Sequence, residues 1–303
     1  MVQELQPGDP RLIGPYQLLG QLGSGGMGRV YLGLPAGGQP VAVKVIRAEL
    51  AADPEFRVRF RREVAVARTV SGPFTAPVVD ADVDAEVPWL ATAYSAGPSL
   101  AQAVREHGPL PVDSVLALAA GLAESLTVIH AAGVVHRDLK PSNVLLAEDG
   151  PQVIDFGIWW AAEGGSPGFM SPEQAEGGDV GPSSDMFSLG AVLVFAAKGQ
   201  GPFGSGSTAA LVYRVLHSPP DLHRVPPQVR PLVQWCLAKD PSQRPTAADF
   251  LAKADAVRPA TGWLPDSVMR SFPRDPASAG TPAAPQPQPG QRPATKRRPF
   301  WRR

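Results

Sequence analysis

The spacing of apolar residues changes about a third of the way along the chain. Residues 16 to about 95 read as strands with one helix. Tyr16–Leu22 alternates partly and runs into a glycine cluster, while Val30–Gly33 and Val41–Ile46 are rich in β-branched residues. The stretch Pro35-Ala36-Gly37-Gly38 between them is a turn signal. Pro54–Val70 is charged, with Phe56, Phe60, Val64 and Ala67 at helix spacing, and Val78–Tyr94 reads as two further strands. From Leu100 onward helical patterns dominate. Val112–His130 places Leu116, Ala120, Ala123 and Leu126 or Thr127 on one face, and Pro111 and Asp113 suit its start. Ser184–Ala197 is nearly all apolar, the pattern of a buried helix. A last helical block runs from about Pro227 to Val257, and no internal repeat is visible.

Composition narrows the class. A chain of 303 residues, 44% apolar and 18% charged, is globular and long enough for a substantial core in one large domain or two small ones. A formal net charge of zero argues against nucleic acid as an electrostatic partner. The single cysteine, Cys236, lies in the apolar helical pattern Pro231–Leu237, so a disulfide framework is excluded and a buried structural thiol is expected. That usage suits a reducing cytoplasm. Met1–Asp9 is acidic and lacks the apolar stretch of a signal peptide. Gly190–Ala197 stands out as an uncharged apolar run, far shorter than the roughly 20 residues that cross a bilayer, so no transmembrane segment is expected. Residues 273–303 are rich in proline, alanine and glutamine without periodicity, which predicts a disordered or polyproline-like tail. Ala277–Arg303 carries six positive charges and no negative ones. Such a tail either docks on an acidic partner or an anionic membrane surface, or is a solvated terminus.

The chemistry concentrates in His136-Arg137-Asp138-Leu139-Lys140-Pro141-Ser142-Asn143 and, twelve residues on, Asp155-Phe156-Gly157. Asp138 can orient or accept a hydroxyl proton and Lys140 can neutralise a phosphate in flight. Asn143 and Asp155 can hold magnesium ions that bridge nucleotide phosphates. Upstream, Leu22-Gly23-Ser24-Gly25-Gly26-Met27-Gly28-Arg29-Val30 is a glycine-rich turn between strands. It either cradles phosphates with backbone N–H groups or is an ordinary hairpin. It is no dinucleotide fingerprint, because a strand follows it, and it lacks the Gly-Lys-Ser/Thr ending of a P-loop. Lys44, inside an apolar strand, is an edge residue with a solvated head or a phosphate contact. Glu63 on the following helix is its candidate counter-charge or, beside Arg61 and Arg62, part of a solvated charged face.

Taken together these motifs resemble a Hanks-type serine/threonine protein kinase of the bacterial branch. Further matching elements are Val41-Ala42-Val43-Lys44, Ser171-Pro172-Glu173, Ser184-Asp185-Met186-Phe187-Ser188-Leu189-Gly190 and Asp240-Pro241-Ser242-Gln243-Arg244-Pro245. The resemblance implies an α+β, bilobal protein kinase fold, with a small, mainly β N-lobe at about 16–94 and a larger, mainly α C-lobe at about 95–257. An N-terminal extension (1–15) would precede it and a Pro-rich, basic tail (258–303) would follow. It further implies ATP with Mg²⁺, or Mn²⁺, in the cleft and protein Ser/Thr hydroxyls as acceptors. By this resemblance Val30 and Ala42 floor the adenine pocket below Leu22, and Gly23, Ser24, Gly25, Gly26, Met27 and Gly28 cover the phosphates. Thr92, Ala93, Tyr94 and Ser95 form the hinge, with Thr92 as gatekeeper. Lys44, held by Glu63, meets the α and β phosphates. Asp138 is the catalytic base, Lys140 touches the γ-phosphate, and Asn143 and Asp155 ligate the metal. Glu173 and Arg244 form a buried ion pair, and Asp185 caps the catalytic-loop backbone. Lys140-Pro141-Ser142 favours Ser/Thr over Tyr acceptors.

One segment departs from the family pattern. From Asp155 to Glu173 the chain is short, Trp159 and Trp160 stand where small or basic residues are usual, and Ser166 is the only hydroxyl before Ser171. Activation without loop phosphorylation is one expectation, with the tryptophans holding the loop. The alternative is that they fill space left by a deletion. The departure also keeps open an ATP-binding pseudokinase or regulatory scaffold, and a small-molecule phosphotransferase on the same fold.

Overall fold

The computed structural model describes residues 2–155, 166–254 and 262–272. Its N-terminal part is a six-stranded antiparallel sheet in the order β1-β2-β3-β4-β6-β5. The strands are β1 (Leu12–Ile13), β2 (Tyr16–Gly25), β3 (Gly28–Pro35), β4 (Val41–Ile46), β5 (Val78–Asp82) and β6 (Trp89–Ala93). Between β4 and β5 lie the short α1 (Ala48–Ala51) and α2 (Pro54–Ala67). The side chain of Asp53 caps α2 by accepting from the Glu55 N–H, and Pro54 occupies its first turn. The four residues expected on its apolar face, Phe56, Phe60, Val64 and Ala67, are the buried ones. The first three pack on the sheet with Ile46 and Leu90. A separate cluster of Tyr16, Leu18, Tyr31, Val43 and Trp89 holds the sheet elsewhere.

The C-terminal part is helical: α3 (Leu100–His107), α4 (Val112–Ala131), α5 (Pro172–Glu176), α6 (Pro182–Lys198), α7 (Thr208–His217), α8 (Arg230–Cys236), α9 (Ala247–Lys253) and α10 (Asp266–Met269). A small hairpin of β7 (Val144–Ala147) and β8 (Gly150–Val153) lies where the two parts meet. One core runs through this lobe, centred on α4 and α6. Cys236 is buried in it, as expected, and burial pushes its thiol pKa upward.

Several boundaries differ from the sequence reading. Helix α4 is covered on most of its circumference, with Leu118, Leu122, Leu126 and Ile129 fully buried while Leu116 is only half-buried. The cause is packing against α6, α9 and β8, which leaves no broad polar face. Among the described residues α4, and not Gly190–Ala197, is the helix long and apolar enough to cross a membrane, yet two thirds of it is buried inside the lobe. The last helical block is broken into α8 and α9, because Pro241 and Pro245 interrupt the backbone pattern between them. The N-terminal extension belongs to the sheet. Gln3 exchanges backbone hydrogen bonds with Gln21, β1 pairs with β2, and the buried Asp9 carboxylate accepts from Arg29, Tyr31 and the Gln6 N–H. Residues 262–272, assigned to the tail from sequence, fold back on the helical lobe, where Trp263, Leu264 and Val268 join its core. The remainder of that tail lies outside the described residues.

The ion pair that fastens α5 to the base of the lobe is bidentate. Arg244 Nη1 and Nη2 donate to the Glu173 carboxylate at 2.7 and 2.9 Å, and Ser184 Oγ donates to Oε1 at 2.6 Å. Arg244 also donates to the carbonyls of Ala238, Ser183 and Lys239, so none of its side chain is exposed. Burial pushes the Glu173 carboxyl up, but the Arg244 and Ser184 hydrogen bonds and the guanidinium charge outweigh it and hold the pKa at about 2. Between pH 4.5 and 2 the unfolded chain therefore binds this proton and the folded chain does not. The stability contributed by Glu173 is complete above about pH 4.5 and is lost as the pH falls toward 2. Glu173→Ala, which strands a buried guanidinium, is expected to cost about 3–5 kcal/mol in urea unfolding at pH 7. Glu173→Gln is expected to flatten the acid limb of the stability profile.

Candidate active site

A short loop between α4 and β7 carries the acidic and basic groups singled out from sequence, and Asp185 at the head of α6 shapes it. The Asp185 carboxylate accepts the backbone N–H groups of His136 and Arg137, each at 2.8 Å, and lies 2.8 Å from His130 Nε2. Arg137 is held at a φ of 68°, a left-handed conformation costly for a residue with a side chain. Gln174 Nε2, from α5, donates to the Arg137 carbonyl at 2.7 Å. The expected cap by Asp185 is thus present.

Downstream of that turn, Lys140 Nζ lies 2.7 Å from Asp138 Oδ2. Asn143 Nδ2 donates to both the backbone carbonyl and Oδ2 of Asp138, at 2.9 and 3.2 Å. These bonds use both amide donors of Asn143 and leave its Oδ1 as the atom able to meet a cation. Asp155, two residues after β8, has a φ of 60°, a second strained position in the site. Asn143 and Asp155 present hard oxygen donors, and among the described residues no cluster of three His, Cys, Asp or Glu side chains forms a closed metal cage. Such an open donor set fits Mg²⁺, which binds through one or two carboxylates together with substrate phosphates.

The sheet supplies the roof. β2 and β3 meet in a tight turn at Gly26-Met27, with Gly25 opposite Gly28. A Cβ at Gly28 would stand 1.9 Å from the Val45 carbonyl oxygen, so only glycine lets β3 start this close to β4. Alternation along β4 buries Val41 and Val43 and turns Ala42 and Lys44 toward the cleft, so Ala42, with Val30 on β3, belongs to the roof and not to the floor expected from sequence. Between roof and loop is a cavity of about 670 Å³. Every residue assigned to nucleotide binding from sequence lines it: Leu22, Gly23, Ser24, Gly25, Gly26, Met27, Gly28, Val30, Ala42, Lys44, Thr92, Ala93, Tyr94 and Ser95. Asp138, Lys140, Asn143 and Asp155 close its inner end. Leu145 and Ile154 also line it, as do Val2 and Ser271 from the chain's two flanks. Sequence reasoning missed these. Leu145 could have been placed by its position in the strand after Asn143, whereas Val2 and Ser271 carry no local signal.

One expected contact is not made. Lys44 Nζ pairs with Asp155 Oδ2 at 3.1 Å, and no ion pair joins Lys44 to Glu63. Glu63 is half-buried on α2 and feels Arg137 and Arg59 instead. Burial pushes its carboxyl up to about 7, and those two positive charges only partly offset the rise. Phe156, Gly157, Trp159 and Trp160 lie outside the described residues. Ser166 precedes a short turn at Pro167–Phe169 and accepts from the Phe169 N–H.

Residues 16–254 match the protein kinase domain family. PkwA of Thermomonospora curvata is 50% identical over 275 residues, which cover 88% of this chain and 37% of that one. The serine/threonine-protein kinase AfsK of Streptomyces coelicolor is 50% identical over 289 residues, 89% of this chain and 36% of that one. The chain therefore spans little more than a third of the length of these relatives. Among solved structures, the PknI kinase domain of Mycobacterium tuberculosis superposes with a TM-score of 0.67 at 29% identity, covering 83% of this chain and 98% of that one.

The Glu63 environment sets a pH dependence opposite in sign to that of Glu173. A carboxyl raised to about 7 keeps its proton in the folded state where the unfolded chain has released it, so its contribution falls as the pH rises from about 4.5 to about 7. Glu63→Gln is expected to remove that slope and to unfold at higher urea than the parent chain at pH 8. Urea midpoints for both proteins across this pH range provide the check.

Proposed function

The chain belongs to the Hanks-type serine/threonine protein kinases of bacteria, and we propose that it transfers the γ-phosphate of ATP to Ser and Thr hydroxyls of proteins. The observation that supports this most is convergence on one cavity. A glycine turn, an apolar adenine-sized slot, Lys44 and the group Asp138, Lys140, Asn143 and Asp155 all face the same space. Leu22, Val30, Ala42 and Leu145 supply the apolar slot, and the Thr92–Ser95 backbone offers hydrogen bonds to a base. Asn143 and Asp155 would hold Mg²⁺, with Mn²⁺ as the alternative ion. The ion's chemistry there is to offset charge on phosphate oxygens.

The chain's own groups do the rest. Asp138, positioned by Asn143 and Lys140, aligns the acceptor hydroxyl and takes its proton. Lys140 faces the charge that grows on the transferring phosphoryl group. Lys44 leaves Asp155 for the nucleotide phosphates, and Glu63 takes up Lys44 as its partner. Catalysis on this account is positioning and charge stabilisation, with little covalent work for the protein. We place the chain in the cytoplasm, where its lone buried cysteine stays reduced; its basic C-terminal stretch either meets an acidic partner or an anionic membrane surface, or is a solvated terminus.

A second reading has one observation in its favour. With Lys44 on Asp155 and not on Glu63, the site matches an ATP-binding scaffold that does not turn over. Transfer of labelled γ-phosphate from Mg-ATP to the protein and to a generic basic protein separates the two. Transfer is expected in the parent chain, with a fall of roughly 10²–10⁴-fold in Asp138→Asn and nucleotide binding retained. Bound nucleotide with no transfer from either protein would establish the scaffold.

A further inference from the structure

Residues 262–272 lie beyond the stretch that matches the kinase family, yet they reach the nucleotide cavity. They are anchored first under α4. Ser114 Oγ donates to the Trp263 carbonyl at 2.6 Å, and the Trp263 indole Nε1 donates to the Ala147 carbonyl at 2.9 Å. Ala147 ends β7, the strand that carries Leu145 on the cavity wall. The preceding residue, Leu146, donates its N–H to the Pro98 carbonyl at 2.9 Å, and Ser99 bridges to Leu145. The chain just after the hinge is therefore laced to β7, and β7 is tied to Trp263.

The far end of the segment closes the same circuit. After α10, Phe272 packs against the lobe's core beside Gly97. A Cβ built at Gly97 would stand 1.7 Å from the Leu146 carbonyl oxygen and 3.4 Å from Phe272 Cε1. Gly97 is thus confined between the β7 backbone on one side and an aromatic ring on the other. The neighbouring Ser271 is exposed and lines the cavity directly, its Oγ donating to the Val268 carbonyl within the segment.

We propose that residues 262–272 are a strap that completes the nucleotide pocket from outside the kinase core. Phe272 and Trp263 act as positioning residues for the hinge and β7, and Ser271 forms part of the pocket rim. The proposal rests on the reading of this cavity as the ATP site. A strap of this kind fixes hinge geometry before nucleotide arrives, so it lowers the ordering cost of binding the base and leaves phosphoryl transfer alone.

The test uses the full chain, titrated with Mg-ADP by calorimetry and assayed with ATP and a basic protein acceptor. Phe272→Ala is expected to weaken Mg-ADP about fivefold and to raise KM for ATP in proportion, with kcat and KM for the acceptor unchanged. Phe272→Leu is expected to restore most of the affinity by refilling the space beside Gly97. Ser271→Glu, on an exposed side chain that leaves the core intact, is expected to weaken Mg-ADP by placing a longer, charged side chain in the rim of the pocket. Parent-like affinity in both Phe272→Ala and Ser271→Glu would overturn the strap while leaving the ATP site intact. So would a matched rise in both KM values with a fall in kcat, the signature of a loosened fold. Failure of the parent chain itself to bind Mg-ADP would overturn the reading of the cavity, and the strap with it.

Discussion

The Asp185 carboxylate is the interaction on which the site depends. It is buried at the head of α6, the central helix of the larger lobe, and spends its lone pairs on two successive backbone N–H groups and one imidazole. A buried carboxylate is costly unless it is saturated with donors. Here saturation has a geometric result: only a sharply turned backbone offers the N–H groups of His136 and Arg137 to one carboxylate, and that turn puts Arg137 at positive φ. The strain is local and the anchor is core, so the lobe's packing energy is what holds Asp138, Lys140 and Asn143 in register. Catalytic geometry and hydrophobic burial are in this sense one quantity, connected through α6.

The upper half of the site obeys different physics. Its charged groups sit in pairings that can be exchanged: Lys44 on Asp155, and Glu63 in the field of Arg137 and Arg59. The net worth of a partly exposed pair of this sort is on the order of 1 kcal/mol, small enough for a bound polyphosphate and its cation to displace. The two arrangements of Lys44 therefore lie within reach of each other, whereas rearranging Asp185 would unfold the loop. Burial raises the Glu63 carboxyl to about 7, so near neutral pH it is only partly ionised and its hold on any single cation is weakened.

Much of this was legible in the sequence, and the reason differs by residue. The face of α2 was readable because Phe56, Phe60, Val64 and Ala67 repeat at the helical period beside a polar surface. The face of α4 was not, because a helix buried nearly all round has no stripe to detect. The residues suited to phosphate chemistry were readable because that chemistry demands particular types in order: glycines, a lysine, an acid, an amide and a second acid; the hinge and the apolar slot were supplied by the family resemblance. The partner of Lys44 was not readable, since Glu63 and Asp155 are both acids and only the placement of α2 decides between them. The role of residues 262–272 was invisible for another reason. Trp263, Leu264 and Val268 are spaced among prolines and charges, and their burial depends on a surface built by residues more than a hundred positions earlier.

That last point changes how likeness among these kinases translates into behaviour. The cavity is walled mainly by residues 16–254, the stretch that matches the family, but Val2 enters it from one flank and Ser271 from the other. The N-terminal flank is fastened through Gln3 to Gln21, on the strand that leads into the glycine turn, and through Asp9 to Arg29 and Tyr31 on β3. The C-terminal flank is fastened through Trp263 to β7. Each flank thus bears on one of the two surfaces that enclose the cavity, the roof and the floor. Two chains with the same lysine, acids and amide can then bind nucleotide with different affinity and still share a transition state, because the flanks act on the shape of the slot and not on the reacting groups.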